Sequence, residues 1–189
     1  MVLAIGIWGS PHLTTAQEQS ESLDVEISSE GVGIVHANLI LLAKRELIRD
    51  LLMDYPNWPK LFPRTPTIHY IKELEGSVRV GMTVPAFFLP MTLRLVTETQ
   101  EPQPFRIVTR MVEGDFERYD WVWELTPTRD GTHTHATLTL NVKPQFWTPD
   151  WALDWILKTD LKEHFDRLRQ ELNLKNPRQS AEPPHNGPQ

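Results

Sequence analysis

What most constrains this chain is the order of its periodic segments: stretch after stretch of two-residue alternation, closed by a single long amphipathic helix. A strand at residues 31–41 (GVGIVHANLIL) comes first, then a short helical interruption at residues 43–63 (AKRELIRDLLMDYPNWPKLFP). The run of strands follows, and last a helix over residues 148–172. A meander of about six to seven strands joined by turns forms an antiparallel sheet. Such a sheet is about 29–34 Å wide, whereas a helix with its side chains is about 10–12 Å across. A terminal helix has one good place to pack, the concave face of the sheet, and it is too narrow to cover that face. The uncovered apolar surface needs another partner, and a bound apolar molecule supplies one. The expected architecture is therefore α+β: a curved antiparallel sheet wrapped around the long C-terminal helix, with two short helices after the first strand.

The alternation is explicit. Val78, Val80, Met82 and Val84 share one face, with Arg79, Gly81 and Thr83 on the other. Met91, Leu93, Leu95 and Thr97 oppose Thr92, Arg94, Val96 and Glu98. Tyr119, Trp121, Trp123 and Leu125 oppose Arg118, Asp120, Val122 and Glu124. Thr134, Ala136, Leu138, Leu140 and Val142 oppose His133, His135, Thr137, Thr139 and Asn141. One apolar and one polar face per strand means a sheet wet on one side. Glu75-Gly76, Glu101-Pro102, Gly114-Asp115 and Arg129-Asp130-Gly131 supply the turns. The final helix is expected to open with Thr148 as N-cap and Pro149 at its first position. Leu153, Leu157, Leu161, Phe165, Leu168 and Leu172 form its buried stripe.

Bulk properties exclude several classes. With 189 residues the chain makes one domain, and its formal charge of −6 without a Lys/Arg cluster argues against a nucleic-acid partner. Cysteine is absent, so no thiol nucleophile, thiolate metal site or disulfide is available. No apolar stretch reaches the roughly 20 residues of a membrane span. Residues 1–9 (MVLAIGIWG) are apolar and Thr14-Thr15-Ala16 would suit a cleavage site, yet the first basic residue is Lys44, so the charged start of a secretory signal is missing. Export, to periplasm or medium, and a cytoplasmic location stand equal on that pattern. Residues 1–23 read as an apolar N-terminus and polar linker, 24–174 as the domain, and 175–189 (KNPRQSAEPPHNGPQ) as a disordered tail.

Residues 46–56 (ELIRDLLMDYP), followed by Trp58-Pro59 and Phe62-Pro63, resemble the opening of the START/polyketide-cyclase (SRPBCC) superfamily, which shares the helix-grip fold with coenzyme Q-binding proteins. Gly114-Asp115-Phe116, the WELTP segment from Trp123 to Pro127, Asp130-Gly131-Thr132 and the helix over residues 149–172 resemble its later parts, so the likeness spans about residues 31–174. Lys44 and Arg49 depart from it, where a Pro and an aromatic are frequent. The resemblance implies a deep apolar cavity between helix and sheet for lipids, quinones or polyketides, with no fixed catalytic residue. No cofactor is expected.

Strand alternation aims Tyr119, Trp121 and Trp123 one way, and large rings with one polar atom suit an apolar pocket. Tyr70, Met91, Leu93, Thr109, Thr134, Leu138 and Leu157 complete the expected ligand-binding set. Trp147, Trp151 and Trp155 recur every four residues away from the leucine stripe. With Phe87 and Phe88 of the PAFFLP loop at residues 85–90, they stand as a gate or a transient membrane contact. His133 and His135 fall on the polar face and read as solvated, so no metal site is expected. Arg94, Arg106 and Arg110 are expected to pair across strands with Glu98, Asp120 and Glu124. A carrier of a hydrophobic small molecule is the leading reading and a polyketide cyclase or aromatase the alternative. For the enzyme, Tyr119, Tyr70 and His36 are the acid/base candidates.

Overall fold

The computed structural model describes residues 20–86 and 90–175. Phe87 and Phe88, the apolar start of the chain and the tail beyond residue 175 lie outside the described residues. Eight strands form one antiparallel sheet: β1 (Ser22–Ile27), β2 (Gly33–Leu41), β3 (Thr67–Leu74), β4 (Ser77–Pro85), β5 (Thr92–Gln103), β6 (Arg106–Gly114), β7 (Phe116–Pro127) and β8 (Thr134–Pro144). Helices α1 (Arg45–Leu52) and α2 (Trp58–Leu61) follow β2, with a 3-10 turn at Tyr55–Asn57 between them, and α3 (Asp150–Lys175) ends the described chain. The spatial order β1-β2-β8-β7-β6-β5-β4-β3 leaves β1 and β3 as edges. This is the helix-grip arrangement, with eight strands where six to seven are expected.

The additional strand is β1, and the two short helices therefore follow the second strand. Leu23, Val25 and Ile27 alternate with Asp24 and Glu26, and all six residues pair with β2, Ser22 opposite Asn38 through Ile27 opposite Gly33. In β2 the inward side is settled: Val35, Ala37, Leu39 and Leu41 are buried, while His36 and Asn38 are exposed on the outer face.

Between β2 and β3 the chain turns on Trp58. Its indole Nε1–H donates to the Leu52 carbonyl at 2.9 Å, and its ring meets Tyr55 edge-on at 5.0 Å. Pro56 and Pro59, at the starts of the 3-10 turn and α2, fit positions that need no backbone donor. Ile48, Leu51 and Leu52 of α1 are buried in the core.

Helix α3 lays its stripe of Leu153, Leu157, Leu161, Phe165, Leu168 and Leu172 on the concave face. Its start differs from expectation. The Pro149 carbonyl accepts the first helical N–H groups, from Ala152 at 2.9 Å and Leu153 at 3.0 Å. The Thr148 hydroxyl donates instead to the Phe146 carbonyl at 3.2 Å, so Thr148 shapes the approach and does not cap the helix. On the outer face Arg106 pairs with Glu124 at 2.9 Å, but Arg94 pairs with Glu113 at 2.9 Å and Glu98 with Arg79 at 2.7 Å. Asp120 is taken by Arg118 at 2.8 Å.

The helix packs against β1, β2 and α2. Gly33 of β2 permits that approach: a Cβ there would lie 2.5 Å from the Leu157 Cδ1 and 3.5 Å from the Leu153 Cδ2. Gly33→Val should therefore overpack the helix–sheet seam and lower stability by about 1–3 kcal/mol, read as a fall in the urea midpoint. An unchanged midpoint would mean that Leu157 yields without cost.

Candidate functional site

Between α3 and the sheet lies a cavity of about 360 Å³, near the lower end of the roughly 300–1,000 Å³ of small-molecule sites. Met82 and Val84 of β4, Leu93, Leu95 and Thr97 of β5, Tyr119 and Trp121 of β7, and Leu140 and Val142 of β8 form the sheet wall. Leu153, Ile156, Leu157 and Leu161 of α3 face them, and Trp58 and Phe62 close the inner end. Trp121 is held edge-on by both, at 6.0 Å from Trp58 and 6.4 Å from Phe62. Pro85, Phe146 and Trp147 belong to the wall and are also exposed, which marks the opening.

A few polar groups interrupt this apolar wall. Arg64, in the segment after α2, pairs with Asp160 of α3 at 2.7 Å. Burial raises the Asp160 carboxyl above its ordinary range, with Arg64 opposing that rise. The Tyr119 phenol is pushed up to about 12 by burial and, next, by the negative charge of Asp160. It is therefore a neutral hydrogen-bond donor at any physiological pH. His164 stacks on Phe62 with centroids 4.6 Å apart, and its Nδ1–H donates to the Leu61 carbonyl at 2.8 Å. Burial drives its pKa down to about 4, so the ring is neutral and its Nε2 carries a lone pair. That Nε2, the Trp121 Nε1 and the Thr97 Oγ1 are buried without a hydrogen-bond partner among the described residues. Together the wall holds one internally compensated ion pair, a neutral phenol, and unpaired donors and acceptors set in an apolar surface.

Of the residues singled out from the sequence, Tyr119, Trp121, Leu93, Leu157 and Trp147 stand in this wall. The others are elsewhere. Trp123 faces the same way as Tyr119 and Trp121 but is fully buried behind the cavity, edge-on to Phe165 at 6.1 Å. Leu138 is core. Thr109 shares a 2.8 Å hydrogen bond with Thr99, and Thr134 donates to the Ala43 carbonyl at 2.8 Å, tying β8 to the start of the helical insertion. Tyr70 lies on the outer face, because its ring covers Gly81, where a Cβ would be 2.2 Å from the Tyr70 Cε1. Met91 is exposed beside the opening. His36 is exposed on the convex side, so Tyr119 alone of the three acid/base candidates reaches the cavity. Trp151 and Trp155 are exposed and outside the wall. His133 sits in the β7–β8 turn, its Nδ1 2.6 Å from the Thr132 hydroxyl.

Sequence reasoning missed Arg64, Asp160 and His164. A signal existed for two of them. Asp160 and His164 are spaced i, i+4 and fall within the stripe of Leu157, Leu161, Phe165 and Leu168, where solvated residues do not belong. Arg64 lies in an irregular segment and carries no such signature.

The model of the family described as polyketide cyclase / dehydrase and lipid transport matches residues 42–169, and the chain belongs to that family. A Streptomyces cyaneus protein named, by inference, a polyketide cyclase is 27% identical over 114 residues, 59% of this chain and 75% of that protein. The Zhui aromatase/cyclase from Streptomyces sp. R1128 superposes with a TM-score of 0.63 at 17% identity, over 79% of this chain and 98% of that one. A START superfamily protein from Mycobacterium smegmatis gives 0.62 at 16% identity, over 76% and 99%. At those identities the two structures establish the fold. Family and fold together define a START/polyketide-cyclase-type domain that binds hydrophobic ligands.

Two outcomes follow from these assignments. Thr134→Val leaves the buried Ala43 carbonyl unpaired and should cost about 1–3 kcal/mol, measured by denaturation, without altering the uptake of an apolar probe. The second concerns acid. The folded pKa of His164 lies near 4 against an ordinary 6.5, so the unfolded chain binds more protons between those values and stability falls as pH drops through that window. In His164→Gln this component, about 3 kcal/mol, should vanish from the stability–pH curve. The difference between parent and variant isolates it from Asp160, whose raised carboxyl acts with the opposite sign.

Proposed function

We propose that the protein binds and carries a compact, uncharged hydrophobic molecule, of lipid, quinone or isoprenoid type, in the cavity between sheet and α3. The observation that carries this reading is the apolar cavity of about 360 Å³ whose one ion pair is already compensated within the wall. Transfer of a ligand from water to that wall yields about 25 cal/mol per Å² of apolar surface removed. An anionic head group would compete with Asp160 for Arg64 and leave a buried carboxylate unpaired, which costs more than it returns. A neutral hydroxyl or carbonyl oxygen instead meets the Tyr119 phenol and the Trp121 indole, both donors.

One observation favours a second reading, an enzyme of the polyketide cyclase type. The Tyr119 phenol is held neutral near Asp160 inside a water-poor cavity, where it can give a proton to an oxygen anion that develops on a folded substrate.

Native mass spectrometry of gently purified protein, with solvent extraction of whatever it releases, tests the carrier directly. A stoichiometric hydrophobic molecule recovered unchanged supports it; an empty protein that takes up no added lipophile sinks it. Leu93→Trp, which fills the sheet side of the cavity, should weaken binding of Nile red by at least about tenfold while the denaturation midpoint stays near the parent value. Tyr119→Phe separates the two readings: a carrier retains Nile red affinity within about twofold, whereas an enzyme loses turnover of a supplied poly-keto substrate with binding intact.

A further inference from the structure

We infer that the opening of the cavity is a docking surface for the interface of an electrically neutral, zwitterionic phospholipid membrane. The surface is built from residues of the β8–α3 connection and the outward side of the first turns of α3. Trp147 is 87% exposed, Trp151 73%, Trp155 46% and Phe146 37%, with Met91 at 47% across the opening on the β4–β5 side. Three indoles four residues apart therefore reach solvent at one end of a domain whose other tryptophans among the described residues, Trp58, Trp121 and Trp123, are buried. Leaving large apolar rings in water is costly, and contiguous patches of them mark a surface that is covered in use.

Which cover fits is decided by residue type and charge. Indoles favour the headgroup level of a bilayer, where the ring is apolar and its N–H stays wet. The charges sharing this end include Asp150, the Asp154–Lys158 pair at 2.8 Å, the Glu117–Lys143 pair, and Arg94, which pairs with Glu113 at 2.9 Å beside Asp115. None of these supplies a surplus cation, and the chain as a whole carries −6. Docking on anionic lipid, which works through unpaired Lys and Arg, has no counterpart here; the surface suits a neutral interface. Trp147 joins the two functions, since one face of it forms the cavity wall and most of it is exposed. A docked domain would thus present its opening to the acyl region, so a hydrophobic ligand passes between membrane and cavity without crossing water. The passage of ligand rests on the proposed carrier function; the docking itself does not.

Flotation of the full-length protein with phosphatidylcholine vesicles, combined with quenching of tryptophan emission by brominated lipids, tests the proposal. The parent should float and be quenched, and Trp147→Ser/Trp151→Ser should reduce its partitioning by about tenfold or more. That comparison separates this surface from the apolar stretch at residues 1–9, which both chains share. Admixture of phosphatidylglycerol should weaken binding, and salt should restore it. No flotation, or equal flotation of the doubly substituted chain, would overturn the proposal. So would a dimer, seen in sedimentation velocity, that the same substitutions dissolve, because the surface would then be an interface between two copies. Leu93→Trp should float like the parent. If Nile red uptake fails in the parent while flotation holds, the carrier reading falls and the docking stands.

Discussion

The structure follows from a mismatch of widths. Eight strands at about 4.8 Å spacing cover roughly 38 Å, and the single helix laid across them is less than a third of that. The helix does not sit centrally. It comes close to β1 and β2, where Gly33 gives way to Leu157 and Leu153. On the far side, over β4 and β5, the sheet curves without a helix to meet it. The apolar inner faces of Met82, Val84, Leu93 and Leu95 are left to line a space instead of a seam. The cavity is thus a consequence of where the helix can approach, and the short α1–α2 insertion, held by Trp58, closes its inner end.

Buried polar atoms sort into two sets around that space. Thr99 with Thr109, Thr134 with the Ala43 carbonyl, and Trp58 with the Leu52 carbonyl are satisfied pairs that knit strands to one another and to the insertion. Thr97, Trp121 and His164 belong to the cavity wall and have polar atoms with no partner among the described residues. Unpaired buried groups weaken a fold by about 1–3 kcal/mol each, and their concentration in a wall gives a ligand oxygen or hydroxyl something to meet. The Tyr55 hydroxyl, the Arg79 Nε and the Trp123 Nε1 are unpaired among the described residues as well and lie outside the wall, so the wall shares such atoms with the surrounding core. Burial first, and then the negative charge of Asp160, keep the Tyr119 phenol in its neutral form in the same wall.

Much of the architecture was legible in the alternation, because the period-2 pattern of β4, β5, β7 and β8 and the leucine stripe of α3 report directly which faces are buried. Where two readings competed, the pattern failed. Strand β1 is short and partly exposed: its alternation of Leu23, Val25 and Ile27 covers only six residues and straddles the expected boundary between linker and domain at residues 23 and 24. Tyr70 belongs to the ligand-binding set expected from the sequence, but a register shift between Ile68 and Tyr70 brings it opposite Gly81 and lays its ring on the outer face. Thr148 looked like an N-cap by identity, yet the backbone begins its helical turn one residue later.

The sequence by itself determined the class of fold, the single C-terminal helix, the inward direction of Tyr119, Trp121 and Trp123, and the outward placement of the indoles at positions 151 and 155. Those are properties of local periodicity, and a strand or helix carries them wherever it is placed. Tertiary structure alone decided which inward residues line a cavity and which are core: Trp121 meets Trp58 and Phe62 at the inner end of the cavity, whereas His164 and Phe165 of α3 cover Trp123. It also decided the chemistry of the wall. Arg64, Asp160 and His164 come from segments about 100 residues apart in sequence, and a charge pair or a shifted pKa exists only once packing has removed water from between them.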